Sequence, residues 1–171
     1  PSPGTYGYGT VWDSSAINNG TCLSTDGHSH GTVVAGLGSG NAHANGRMKG
    51  MAPESDIIMV ESNFSAPNWT LTIADACDYI FRVADSLGKS AVVNLSLGTY
   101  FGSHDGNDPA AEAMEGMLDG RPGRIIVSAT GNSGLGGKMH VHNDVTTDTS
   151  FVWFKNNAAG IFGANTIYFD L

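Results

Sequence analysis

The hydrophobic positions of the 171-residue chain fall into two kinds of segment. One kind is a short segment that contains an apolar run, as in residues 57–60 (IIMV), 90–98 (SAVVNLSLG) and 124–134 (RIIVSATGNSG), which is typical of a buried strand. The other kind recurs every three or four residues, most clearly in residues 70–89, and predicts an amphipathic helix that ends at Gly88. Because strands and helices follow one another, the pattern predicts an α/β fold with a parallel sheet and crossover helices.

Three further helices are predicted. A short helix is expected in residues 12–18 (WDSSAIN), with Asp13 as its N-cap. The small residues in 30–43 have poor helix propensity, but they favour a helix that lies very close to a sheet. The segment DPAAEAMEGMLDG predicts a helix with Asp108 as N-cap and Pro109 at the first helical position.

Beyond Gly137 the pattern changes to an alternation with a period of two residues. The segments KMHVHNDVTTDTSFVWFKNN and NTIYFDL show this alternation, which predicts antiparallel β structure. We therefore divide the chain into an α/β part, residues 1–137, and a partial antiparallel β-module, residues 138–171. Since the chain starts without methionine and stops inside a strand-like run, we expect it to be a piece of a longer protein.

Composition and charge limit the possible partners. Hydrophobic residues make up 40% of the chain, which is enough for a real core. The formal net charge is −8 and charged residues are only 14%, so a nucleic-acid-binding surface is not expected. No apolar run reaches the roughly 18–20 residues of a membrane span. The sequence thus predicts neither a nucleic acid nor a membrane partner, and leaves the oligomeric state open.

The two cysteines leave two interpretations open. Cys77 falls on the apolar side of the helix in 70–89, which favours a buried thiol. A disulfide bridge between Cys22 and Cys77 is the alternative.

Active-site groups of an open parallel sheet gather at the carboxyl ends of strands and at the helix starts that follow them. Three segments lie at such places. One begins at His30, at the start of a predicted helix, and the other two, NLSLG (94–98) and ATGNSG (129–134), leave predicted strands.

These segments resemble the motifs of the subtilisin-like serine proteases. HGTVVAG (30–36) is similar to the family's H-G-T-x-V-A-G, and GMAP (50–53) to its G-x-A-P turn. NLSLG is similar to N-x-S-L-G, and ATGN (129–132) to the A-x-G-N oxyanion turn. All four stand in family order with strands and helices between them, so the resemblance covers about residues 20 to 135.

The resemblance implies a serine endopeptidase with acyl-enzyme chemistry. It makes His30 the general base and acid, which suits an imidazole that titrates near neutrality. It makes Asn132 the donor to the oxyanion of the tetrahedral intermediate, so both side chains should face one cleft. It assigns substrate contacts to two segments: Ser96, Leu97 and Gly98, which would pair with an extended peptide, and Ala129, Thr130 and Gly131, which would wall the pocket for the residue before the scissile bond.

Two members of the family's triad are not found in their usual contexts. Asp13 is a candidate for the acid, but no glycine follows its serine and it lies 17 positions before His30, so the N-cap role is preferred. The nucleophile context G-T-S-x-A does not occur after His30, and Ser133 lies beside the oxyanion donor itself. We expect the acid upstream of Pro1, the serine downstream of Leu171 and, since a triad short of two members keeps at most a residual rate, an inactive isolated chain.

Other functions remain as alternatives. The chain could be a catalytically dead, subtilase-like module that binds peptides. A dinucleotide-binding domain is disfavoured because GLGSGN (36–41) lies inside the helix that follows His30.

No metal or cofactor is required by the sequence. His28 near His30 suggests a zinc pair, but the remaining histidines show no ligand spacing: His43, His104, His140 and His142. Of these, His140 and His142 are expected on a solvated strand face. Calcium sites are common in the family, but no carboxylate-rich loop of this sequence has a recognisable calcium-ligand spacing. By resemblance, the protein is expected to be extracellular and to act on peptides or proteins.

Overall fold

The structure is a computed structural model that describes residues 4–44, 46–100, 102–132, 145–151 and 153. It forms two compact units, residues 1–80 and 81–171, which are described separately.

The first unit contains the helices α1 (Ser14–Asn18) and α2 (His30–Ser39) and the first part of α3 (Trp69–Ser86). All three were predicted, although α2 is shorter than the predicted 30–43. Asp13 caps α1, since its carboxylate accepts a hydrogen bond from the backbone N–H of Ala16 at 2.8 Å. The predicted N-cap role of Asp13 is confirmed.

The GMAP segment lies against the end of α2. The backbone N–H groups of Gly50, Met51 and Ala52 donate to the carbonyls of Gly40, Leu37 and Gly38 at 2.7, 3.1 and 2.8 Å. A β-carbon at position 50 would lie 2.6 Å from the backbone nitrogen of Gly40, so only glycine permits this approach. The turn therefore satisfies carbonyls that a helix end otherwise leaves without partners.

The N-terminal segment is attached to α3 by two tyrosines. The hydroxyl of Tyr6 donates to Asp78 at 2.7 Å, and that of Tyr8 donates to Asp75. The ring of Tyr6 also lies edge-on to that of Tyr79, with centroids 6.5 Å apart. These contacts tie residues 6–8 to one face of the helix.

The predicted strand at 57–60 is wrong. These residues form no ladder with the described part of the chain, and the side chains of Ile57 and Met59 are 58% and 59% exposed. A strand exists only where a neighbour supplies hydrogen-bond partners. An apolar run alone does not provide that neighbour.

The second unit contains the end of α3, strand β1 (Ala91–Leu95), helix α4 (Pro109–Leu118) and strand β2 (Arg124–Ser128). The two strands are parallel and in register, from Ala91 opposite Arg124 to Leu95 opposite Ser128. Since α4 connects them, the predicted parallel pairing with a crossover helix is confirmed. The carboxylate of Asp108 caps α4 by accepting from two backbone N–H groups at 3.1 Å, as predicted.

The core of the second unit lies on one side of this strand pair. Val93 is 3% exposed, whereas its neighbour Val92 is 66% and Ile125 is 54% exposed. The two strands were predicted to be buried, but alternate side chains point to opposite faces, and only one face is covered by the described residues of this unit. Its buried side chains are Phe81, Ala84, Val93 and Ala110.

Phe81 is fully buried beneath a charged side chain. The guanidinium carbon of Arg124 lies 5.0 Å from the centre of the Phe81 ring. The same guanidinium forms an ion pair with Asp85 and donates to the backbone carbonyl of Met117 at 3.0 Å. The arginine at the start of β2 therefore connects that strand to both helices of the unit.

The cysteines of the first unit are both thiols. Cys77 is fully buried, and this burial raises its pKa to about 11. The buried-thiol interpretation is confirmed, and the disulfide alternative is wrong.

The antiparallel β-module is not supported. Its described residues, 145–151 and 153, contain no strand, and Phe151 and Trp153 are 81% and 96% exposed. A strand-like alternation does not by itself supply a pairing partner. His140, His142 and most of the module lie outside the described residues. Of the helices that the structure describes, none has the length and apolar character that a bilayer crossing requires.

Replacing Phe81 with alanine should lower the free energy of unfolding by about 3–5 kcal/mol, because it removes a fully buried ring and leaves a cavity under Arg124. The measurement is urea denaturation of the full-length protein followed by circular dichroism. Phe151→Ala makes the same chemical change at an exposed position and should have little effect. Equal losses in the two variants would contradict the assigned core.

Candidate active site

Helix α2 begins at His30, and the loop before it is held by Asp26. One carboxylate oxygen of Asp26 accepts from the backbone N–H of His28 at 3.0 Å. The other accepts from both the backbone N–H and the hydroxyl of Thr32, at 2.8 and 2.7 Å. Asp26 thus joins the loop to the first turn of α2 on either side of His30.

Asp26 performs the capping that Ser29 does not. Ser29 precedes the helix with a left-handed backbone, φ 60°, and its side chain makes no capping bond. The amide of Thr32, which a helix start leaves without an intrahelical partner, is satisfied by Asp26 instead. Asp26 was not among the residues predicted from the sequence, although an Asp-Gly pair is a recognised signal for a side-chain-stabilised turn.

These hydrogen bonds keep Asp26 ionised. The hydroxyl of Thr32, followed by the amides of Thr32 and His28, lowers the pKa of the carboxyl from 3.8 to about 2. The carboxylate is therefore fully charged at neutral pH. The imidazole of His30 is exposed at the first position of the helix, and so is that of His28 in the loop.

The glycines of GLGSGN lie at the wrong end of α2 for a dinucleotide site. Gly36 and Gly38 are within α2, and Gly40 is its C-cap. Phosphates bind where backbone N–H groups are exposed, which is the N-terminus of a helix. This position disfavours the dinucleotide-binding alternative.

In the second unit, the two predicted substrate segments leave neighbouring strands side by side. The ladder ends with Leu95 opposite Ser128, and the N–H of Ala129 donates to the carbonyl of Leu95 at 3.0 Å, which extends it by one bond. Residues 96–98 and 129–131 therefore start from adjacent positions at the carboxyl edge.

The two segments differ in exposure. Ser96 and Leu97 are half-buried, and the hydroxyl of Ser96 accepts from the side-chain amide of Asn94 at 3.0 Å. Gly98 and the whole of residues 129–132 are exposed. Each segment thus includes at least one exposed residue.

The backbone conformation of residue 131 favours glycine, and the side chain of Tyr100 lies close to it. The φ of Gly131 is 88°, in the left-handed region. A β-carbon there would lie 2.8 Å from the phenolic oxygen of Tyr100. The turn consequently presents Asn132 with its carboxamide at the surface, directly after a position that favours glycine. Tyr100 is a second residue that the sequence analysis missed, since nothing in its sequence neighbourhood marks this contact.

Within the second unit, the structure brings the two predicted substrate segments and Asn132 to the same edge. His30 belongs to the first unit and Asn132 to the second, so the common cleft for these two side chains stays a prediction. Ser133 lies outside the described residues. Among the residues that are described, no three His, Cys, Asp or Glu side chains gather in a way that would hold a metal ion.

The parallel strand pair and its crossover helix show an α/β arrangement in the second unit. The sequence profile of the Subtilase family matches residues 9–161, and the chain belongs to that family. The resemblance that the four motifs indicate is thereby confirmed.

A curated relative agrees with this assignment. The chain is 32% identical over 109 residues to a thermophilic serine proteinase of Bacillus sp. (strain AK1), an alignment that covers 63% of this chain and 24% of that protein. The chain thus matches about a quarter of the relative's length. No solved structure matches the chain.

The stabilising effect of Asp26 should depend on pH. Because its pKa in the folded protein, about 2, lies below the ordinary value of 3.8, the carboxylate stabilises the fold above the ordinary value, and this contribution disappears as the pH falls from 3.8 through about 2. Asp26→Asn should therefore lower the thermal unfolding midpoint near neutral pH, and the difference from wild type should close in that acid range.

The matched control is Asp148→Asn, which removes another exposed carboxylate. Its midpoint should stay close to that of the wild type throughout the titration. A difference for Asp26→Asn that persists at the acid end would show that the effect does not come from the charge.

Proposed function

We propose that this chain is part of the catalytic domain of a serine endopeptidase that cleaves peptide bonds through an acyl-enzyme intermediate. The observation that carries the proposal is the register of β1 and β2, which sets Ser96–Gly98 beside Ala129–Asn132 at one edge. Membership of the Subtilase family supports the reaction class.

In the proposed reaction His30 is the base. It accepts the proton of the serine hydroxyl as that oxygen attacks the peptide carbonyl, and it then donates the proton to the leaving amine. Asp26 holds the loop and the first turn on either side of this imidazole through its contacts with His28 and Thr32. The triad aspartate and serine come from sequence outside these 171 residues, so the isolated chain is inactive.

Asn132 stabilises the negative charge that develops on the carbonyl oxygen. Its carboxamide N–H donates to the oxyanion, and the turn at Gly131 fixes the donor in place before the reaction begins. A rigid donor is effective because it needs no reorganisation as the charge appears.

The substrate binds as an extended peptide along the exit of β1. The backbone of Ser96–Gly98, which follows the last ladder pair of β1, pairs with the peptide as an added strand. Residues 129–131 form the wall beside the residue that precedes the scissile bond. The substrates are peptides or proteins, and we place the enzyme outside the cell in keeping with its family.

A catalytically dead peptide-binding module is the second candidate. The observation in its favour is the absence of G-T-S-x-A between His30 and Leu171. Such a module would use the same substrate segments but would have no nucleophile. A serine-directed reagent would therefore label the endopeptidase but not the binding module.

Replacing His30 with alanine in the full-length protein should reduce labelling by a fluorophosphonate probe by about 100-fold or more, because the serine loses its base. The labelling rate is followed by in-gel fluorescence. His28→Ala removes the neighbouring exposed imidazole and should label like the wild type. Equal labelling of His30→Ala and the wild type would overturn the base assignment, and an unlabelled wild type would favour the binding module.

Replacing Asn132 with alanine should lower kcat far more than it changes KM, because the lost hydrogen bond forms chiefly in the transition state. The expected loss, about 10²–10³ in kcat, is borrowed from the corresponding donor of subtilisin itself. Steady-state kinetics on a peptide substrate provide the measurement. Asn18→Ala, at the end of α1, is the control and should keep the wild-type kcat. An unchanged kcat for Asn132→Ala would exclude the oxyanion role.

A further inference from the structure

Tyr100 connects the two substrate segments. It follows Gly98 by two residues, and its side chain reaches Gly131 in the opposite segment. A β-carbon at position 131 would lie 2.8 Å from the phenolic oxygen and 3.5 Å from the ring carbon that bears it. The end of the phenol is therefore packed against the backbone of Gly131, and Tyr100 is half-buried.

The wall at residue 131 has no side chain of its own. With φ at 88°, this position strains any other residue, so the wall is bare backbone. A bare wall leaves space in front of it, and here the space next to Gly131 contains the phenol of Tyr100. The phenol of Tyr100 therefore lies against the segment that we propose as the pocket wall.

We infer that Tyr100 shortens the pocket for the substrate residue before the scissile bond and restricts it to small side chains, such as Gly, Ala and Ser. This inference rests on the proposed endopeptidase function. Packed groups have little free volume, so a substrate phenylalanine and the Tyr100 phenol cannot occupy the same place. A small substrate side chain avoids the conflict.

The test uses the full-length protein and two peptides that differ only in having Ala or Phe before the scissile bond. The wild type should have a kcat/KM for the Ala peptide at least about tenfold higher than for the Phe peptide, the scale on which a pocket discriminates side chains of different size. Tyr100→Ala should shift this ratio about tenfold or more towards Phe. Tyr100→Phe keeps the ring and should keep the wild-type preference, which separates steric blocking from loss of the hydroxyl.

Fluorophosphonate labelling is measured in parallel on the same three proteins. If they label equally and the ratio of the two kcat/KM values does not move, the pocket inference is wrong while the proposed function stands. A wild type that prefers the Phe peptide overturns the inference without any variant, which covers the case in which Tyr100→Ala does not fold. A wild type that neither labels nor cleaves overturns both the inference and the proposed function.

Discussion

The second unit depends on the in-register parallel ladder between β1 and β2. Parallel strands cannot be joined by a tight turn, so the ladder requires a crossover, and α4 with its Asp108 cap provides it. The same register places the last residues of the two strands, Leu95 and Ser128, opposite each other, so the chain leaves both strands at one edge of the sheet. Without this register, residues 96–98 and 129–131 would not be neighbours, and the proposed peptide-binding strand and pocket wall would not lie side by side.

The two ends of this ladder serve different purposes. At the amino end, the guanidinium of Arg124 lies over the buried ring of Phe81. It also forms an ion pair with Asp85 and donates a hydrogen bond to the Met117 carbonyl. At the carboxyl end, residues 129–132 are exposed. The contacts that stabilise the core are thus separate from residues 129–132, which we propose as substrate and oxyanion contacts. The carboxyl edge can therefore be exposed without weakening the core.

The first unit shows how a carboxylate can hold the start of a helix. The Asp26 carboxylate receives three hydrogen bonds from His28 and Thr32, and its lowered pKa follows from them. The histidine between these anchors is exposed rather than packed. The carboxylate thus holds the backbone on both sides of this histidine.

The sequence by itself determined the local features of this protein. Periodicity located α3, side-chain caps located the starts of α1 and α4, and the order of four motifs identified the family, because these signals arise between residues close in the chain. The pattern of strands and helices also predicted the parallel pairing, but the register of the strands and the contacts between distant residues were decided only by the tertiary structure. The run at 57–60 has the composition of a strand but no described partner, and Tyr100 reaches Gly131 only because the ladder brings residues from different parts of the chain together. Hydrogen-bond partners and packing contacts between distant residues are properties of the folded chain, so no local pattern records them.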